Sequence, residues 1–249
     1  MEDRASILLV NDGGHFDHFG CRFVSDVLHG AFSPVLSIPI GTKPTPSDFV
    51  GIDFVIVNGE GTLHHGRGAY LYQKYPVPAV LINTVWQDNP KVDLSHFAYV
   101  SCRESLSAEA MRNCGISPDV VPDVMFVHDV DPGSGGGLVV SDSVTIGENG
   151  VRPTMANLEK FLSADRIVAG RFHVACLAMM TGKPFSCYPS NTHKTKGMMK
   201  DAGHGFYETR REALKWAHRP TGYSYLAQSM VPKMLDKVLA LSVVAKQET

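Results

Sequence analysis

The feature that most constrains this chain is a series of short apolar, β-branched runs in its first half: "SILLV" (6–10), "VLSIPI" (35–40), "DFVIVNG" (53–59), "AVLINTV" (79–85) and "AYVSC" (98–102). Such runs read as buried strands, because a strand covered on both faces loses the polar alternation of a half-exposed one. Helical stretches lie between some of them, notably "DHFGCRFVSDVLHGAF" (17–32) and "ESLSAEAMRNCG" (104–115). In the second, Ser105 or Ser107 is a candidate cap and Gly115 a stop. Strands alternating with helices predict an α/β protein with a mainly parallel sheet covered on both faces. At 249 residues the chain is long enough for one large domain or two small ones.

The division is read from "GSGGG" (133–137), the one Gly/Ser-rich segment and a natural hinge. Residues 1–132 form an N-terminal α/β unit and 133–137 a linker. Beyond it, "LVVSDSVTI" (138–146) reads as a strand, "TMANLEKFLSA" (154–164) as a helix, "RIVAG" as a strand, the segment from His173 as a helix and "KPFSCYPS" as a strand. Residues 138–222 are therefore a second, smaller α/β unit, and 223–249 a helical segment, interrupted at Pro232, that packs back. The expectation is two Rossmann-like units facing a cleft, with ligands at the strand C-terminal ends.

Charge narrows the partners. Lys+Arg number 23 against 25 Asp+Glu, a formal net charge of −2, so there is no global basic field and a nucleic-acid partner is not expected. With 44% hydrophobic and 19% charged residues, the composition is that of an ordinary globular protein. The start, "MEDRASILLVNDGG", suits a first buried strand better than a secretory signal or spanning helix, which leads us to expect a cytoplasmic protein without a transmembrane segment. Cys21, Cys102, Cys114, Cys176 and Cys187 form no close pair, which argues against a zinc ribbon or a disulfide framework. Cys176, on an apolar helix, reads as core packing.

Four loops carry candidate chemistry. In "NDGGHFDHFG" (11–20), Gly13 and Gly14 permit a tight turn and close backbone approach to a ligand, and the helix that follows offers free N–H groups to an anion. The dinucleotide pattern G-x-G-x-x-G is absent, and His15, Asp17 and His18 lack the spacing of a metal motif. In "NGEGTLHHGRG" (58–68), Gly59, Gly61, Gly66 and Gly68 make a backbone-lined loop in which Glu60 supplies a carboxylate suited to act as a base. Arg103 stands between a strand and a helix start, where it either holds a phosphate or carboxylate or makes a surface ion pair with Glu104 or Glu109. In "GRFH" (170–173), an extended backbone would bury Phe172 and project Arg171 and His173 together into the cleft. A fixed cation beside a titratable imidazole suits an anionic substrate whose chemistry needs a proton moved. A donor-rich loop with Ser190, Asn191, His193 and Lys194 follows a later strand.

Taken together these segments resemble the polysaccharide pyruvyl transferase family, in order and over most of the chain. "NDGGHFDHFG" is similar to that family's Asn-x-Gly-Asp turn, although Gly14 and His15 stand where its Asp is expected, and "VIVNGEGTL" to its glycine loop, with Glu60 where glycine is usual. "SCRESLSAEAMRNCGISPDVVPDVMF" is similar to an Arg-Glu-x-Ser helix followed by a strand carrying the Asp matched by Asp123. "IVAGRFHVACLAMMTGKPF" resembles its Arg-x-His segment, and "HKTKGMMKDAG" the Lys-led helix after it. The resemblance implies a GT-B-like two-domain glycosyltransferase architecture and transfer of pyruvate, as a ketal, from phosphoenolpyruvate to hydroxyls of a sugar or glycan. Phosphoenolpyruvate would be a co-substrate, with no further cofactor and no metal. It implies that Arg103, Arg171 and Lys194, with Ser190, hold the anionic donor on the C-terminal side, and that His173 contacts the phosphate or supplies the proton. Glu60 is the expected base, and Asn11, Gly13, Gly14, His15, Asp17, Gly59, Gly61, Thr62 and His64 the acceptor or loop contacts.

Three other readings stand beside it. A nucleotide-sugar glycosyltransferase would use the same cleft, with Glu148 or Asp165 on the ribose. A non-catalytic relative would keep the fold alone. A metal-dependent hydrolase would be built on His15, Asp17, His64 and His65. The sequence does not set the oligomeric state.

Overall fold

The computed structural model describes residues 4–247 apart from 34, 146 and 148. Six strands form one parallel sheet in the order β2-β1-β3-β4-β5-β6: β1 (Ile7–Asp12), β2 (Val35–Pro39), β3 (Phe54–Asn58), β4 (Ala79–Thr84), β5 (Phe97–Cys102) and the two-residue β6 (Asp119–Val120). The expected apolar runs are these strands, and β1, β3 and β4 are buried along their whole length. β2 lies at the edge and is half exposed, which explains the serine and proline in its run.

Period-two alternation sorts the central strands onto two faces. Ile7, Leu9, Phe54, Ile56, Val80 and Ile82 meet α1 (Phe19–Phe32) and the long helix α7 (Tyr223–Gln247) on one face. Leu8, Val10, Val55, Val57 and Leu81 meet α2 (Ser105–Arg112) and the loop residues Leu63, Leu71, Tyr75 and Trp86 on the other. α7 does pack back on the first sheet, but it runs unbroken through Pro232, whose missing N–H removes one helical bond without ending the helix.

A second parallel sheet, β7-β8-β9, comprises β7 (Leu138–Val140), β8 (Arg166–Ala169) and β9 (Phe185–Cys187). The strand expected over 138–146 is thus cut short, its continuation reduced to a single bridge between Ser141 and Val151; residue 146 lies outside the described residues. The helix expected over 154–164 is a 3₁₀ turn followed by α3 (Leu158–Ser163). α4 (Phe172–Met180), α5 (Lys194–Asp201) and the short α6 (Arg210–Ala213) complete this part.

One apolar cluster runs from β1 through the 3₁₀ turn Val124–Val127 into α4 and β8, so the core of the two sheets is shared. The glycine segment between them is held rather than loose. Gly135 and Gly137 donate to the Asp165 carboxylate at 2.8 and 2.9 Å, Gly136 donates to Ser163 O, and Lys183 Nζ donates to Gly133 O. No helix among the described residues is long and apolar enough to cross a membrane.

Candidate functional site

The strand ends prepare the site. Asn58 ends β3, and Asn11 and Asn83 each lie one residue before the end of β1 and β4, at the sheet edge where the apolar runs turn polar. Asn11 and Asn83 sit at φ of 70° and 53°, a region asparagine tolerates better than most side chains. Asn11 Nδ2 donates to Asn58 O at 2.7 Å and to Thr62 Oγ1 at 3.1 Å, while Asn83 Nδ2 donates to Asn58 Oδ1 at 3.3 Å. These bonds set where the 59–68 loop leaves the sheet. At Gly59 a β-carbon would lie 2.9 Å from Thr84 Cα, so only glycine lets the loop start there. Glu60 follows at φ 30° and turns inward, accepting from Cys21 Sγ at 3.0 Å and from Asn58 Nδ2 at 3.4 Å.

Arg103, directly after β5, is completely buried. It makes no ion pair with Glu104 or Glu109. Its NH1 pairs with the Asp123 carboxylate and lies 3.4 Å from His173 Nε2, and its guanidinium stacks 4.3 Å from the centre of the Phe172 ring. Nε and NH2 have no hydrogen-bond partner among the described residues. A buried guanidinium with two idle donors is costly, and its positive charge borders the adjoining cavity, where it favours an anion. Burial alone would raise the Asp123 carboxyl, but Arg103, then His173 and the Met125 N–H, hold it far below the usual carboxylate range.

The cap of α2 is Glu104, not Ser105 or Ser107. Its carboxylate accepts from the backbone of Leu106 and Ser107 and from the Ser107 hydroxyl, with His193 Nε2 at 3.5 Å. The positive end of this helix is thereby taken and does not reinforce Arg103 toward a ligand.

His173 comes from the first turn of α4. The backbone is helical from Phe172 onward rather than extended; Phe172 is buried in the core as expected, and its ring also lies under Arg103, with Lys194 Nζ at 6.0 Å, and borders the cavity. His173 Nε2 stands 3.5 Å from Asp123 and 3.9 Å from Glu60. Its ring rests on α1 at Gly20, where a β-carbon would come within 2.2 Å of His173 Cγ. Gly170 likewise answers to close packing, its missing β-carbon lying 2.5 Å from Asp142 O and from Tyr188.

Lys194 opens α5 and is nearly buried. No hydrogen bond or ion pair reaches its Nζ among the described residues. Burial, then the Arg103 charge, lowers its pKa to about 7, against the opposing pull of Glu60, Cys21 and Asp123. Arg171 is already engaged: Nε and NH2 grip both oxygens of Asp142 at 3.0 and 2.5 Å. His18 caps α1 by accepting from Gly20 N at 3.2 Å, and burial, with His173, Arg171 and Lys194 nearby, lowers its pKa to about 2.

Together these groups enclose a cavity of about 220 Å³, reached by residues following β1, β2, β3, β5, β8 and β9. Of the residues expected from sequence, Glu60, Gly61, Thr62, Arg103, Arg171, His173, Ser190 and Lys194 line it. Asn11, Gly13 and Gly59 lie behind the lining; at Gly13 a β-carbon would meet Cys21 at 2.9 Å. Gly14 is closed into a turn by Asp12, whose Oδ1 accepts its N–H. His15 and Asp17 are exposed and outside the cavity, Asp17 accepting from Met155 N. His64 also lies outside; burial, then Lys194, lowers its pKa to about 4.

His15, Asp17, His64 and His65 therefore do not converge as a hydrolase would require. A different trio, His18, Cys21 and His173, does place ligand atoms within 4.8 Å of one another. The cap bond to His18 Nδ1 opposes a metal there, because an imidazole bound through Nε2 needs its proton on Nδ1. Asp165 is spent on the glycine segment at the start of β8, away from the cavity, and Glu148 lies outside the described residues.

Sequence reasoning missed His18, Cys21, Ile40 and Asn191 as lining, and Asp142 as the partner of Arg171. Cys21 and Ile40 carry no pattern that could have marked them. The asparagines closing apolar runs at 58 and 83 were a readable signal.

No family model matches the chain, and no curated protein sequence matches it. Among solved structures, the chain is similar to a functionally uncharacterized protein from Klebsiella pneumoniae, at 14% identity with a TM-score of 0.54, over 82% of this chain and 94% of that one. That likeness supports the α/β fold.

Proposed function

We propose that the chain is a transferase that moves a pyruvyl group from phosphoenolpyruvate to hydroxyls of a sugar or glycan, on a GT-B-like arrangement of two Rossmann-like units. The observation that carries this reading is the buried Arg103 with Nε and NH2 unpartnered at the wall of a small cavity that also holds Lys194. Size favours a compact donor: about 220 Å³ is below the roughly 300–1,000 Å³ of sites for drug-sized ligands, which suits a three-carbon acid phosphate better than a nucleotide sugar.

In this reading Arg103 and Lys194 bind the carboxylate and phosphate. His173, between Asp123 and Glu60, delivers a proton to the enol carbon, leaving an oxocarbenium-like centre. One acceptor hydroxyl adds there as Glu60 takes its proton; phosphate then leaves with its bonding electrons, stabilised by the cations, and the second hydroxyl closes the ketal as its proton passes to the deprotonated His173. Arg171 acts at the rim, since Asp142 occupies its fork.

Calorimetric titration with phosphoenolpyruvate, and with uridine and cytidine diphosphates for comparison, tests the reading. Phosphoenolpyruvate should bind, and Lys194→Met should weaken it. Binding of a nucleotide with none of phosphoenolpyruvate would overturn the assignment.

A further inference from the structure

We propose that Lys194 is an amine nucleophile that forms an imine with α-keto acids whose carboxylate is held by Arg103. Two idle groups meet over one gap. Gly61 has no side chain, and a β-carbon there would lie 3.0 Å from Lys194 Nζ and 3.7 Å from Arg103 NH2. Arg103 and Lys194 line the same cavity, so a keto acid whose carboxylate lies against Arg103 brings its carbonyl carbon toward Nζ. Nothing among the described residues holds that amine away.

The chemistry needs a neutral amine. Desolvation and the neighbouring guanidinium supply it, bringing the lysine to about 7, so that a large share is unprotonated at neutral pH. The amine lone pair forms the C–N bond while the carbonyl π pair moves to oxygen and takes a proton. The nitrogen then loses a proton, the C–O bond breaks with a second proton on oxygen, and water leaves a protonated imine, which gives the imine when nitrogen returns its remaining proton. No oxidant or reductant enters. His173 and Glu60, 3.9 Å apart at the cavity wall, are placed to move those protons.

This assignment does not rest on pyruvyl transfer. Phosphoenolpyruvate carries no ketone, so its binding titration reports on that reading alone. Here the whole chain is incubated with pyruvate and sodium borohydride, which reduces an imine to a stable secondary amine, and is followed by intact mass and peptide mapping. The expected result is one adduct per chain at Lys194, suppressed by oxalate, which competes for Arg103 but has no ketone, and lost in Lys194→Arg. Gly61→Ala, whose β-carbon would crowd Lys194 Nζ at 3.0 Å while leaving both cationic side chains in place, should slow labelling by about tenfold or more. It carries the test if Lys194→Arg does not fold. No adduct, adducts spread over exposed lysines such as Lys196 and Lys200, or Gly61→Ala labelling as fast as wild type would each overturn the proposal.

Discussion

Replacing Arg103 by methionine tests whether the buried ion pair behaves as its surroundings demand. Arg103 and Asp123 are both inaccessible to solvent, and one Asp123 oxygen also accepts from Met125 N at 2.9 Å. Removing the guanidinium strands a carboxylate in the core, which costs about 3–5 kcal/mol when one partner of a buried pair is lost. That is a large part of the roughly 5–15 kcal/mol that holds a domain together. The pH dependence should also change sign. In the wild type the Asp123 pKa is lowered, so its contribution is present above the ordinary carboxylate value of 3.8 and is lost as pH falls toward the lower folded value. In Arg103→Met burial dominates, the carboxyl is raised, and acidification from pH 7 to 5 should stabilise the variant while leaving the wild type little changed. Urea unfolding at the two pH values measures both effects. Arg103→Met with Asp123→Leu should recover part of the loss, short of the full amount because the bond to Met125 goes too. A single-variant cost under about 1 kcal/mol, or a double variant no better than the single, would refute the reasoning.

Inorganic phosphate at 100 times its dissociation constant should stabilise the wild type by about 2.7 kcal/mol, and its affinity should fall as pH rises through about 7, where Lys194 loses its proton; thermal shifts across pH check this. Without ligand the sign is opposite. A lowered lysine pKa means the unfolded chain holds the extra proton between about 7 and 10.5, so Lys194 contributes rising stability over that window. Gly20→Ala should destabilise by about 1–3 kcal/mol through the clash with the His173 ring, although alanine is the better helix former; a raised melting temperature would contradict the packing. Asp142→Ala should free the Arg171 fork and tighten anion binding in calorimetry, whereas a weaker anion would mean that Asp142 matters chiefly for holding the loop.

Strand positions were legible in the sequence because a strand buried on both faces is apolar along its length, and the runs at 7–10, 54–57 and 79–82 are. So were the site's principal cations, since Arg103, Arg171 and Lys194 each follow a strand or open a helix, where chain direction in a parallel sheet brings loops to one edge. Their states were not. Whether Arg103 was a surface ion pair or a buried one depended on Asp123, twenty residues away in sequence. The bidentate Arg171–Asp142 pair joins residues twenty-nine apart, and the contact of His173 with Gly20 joins two sheets' helices. Local pattern records which face of an element is apolar. It does not record which distant group arrives to satisfy a charge, and that pairing decides whether a cation is spent on the fold or left for a ligand. The sequence by itself determined the parallel α/β framework and the edge where polar groups gather; only the tertiary structure left Arg103 and Lys194 facing one cavity with donors unpaired, because desolvation and long-range partners exist only once the chain has closed.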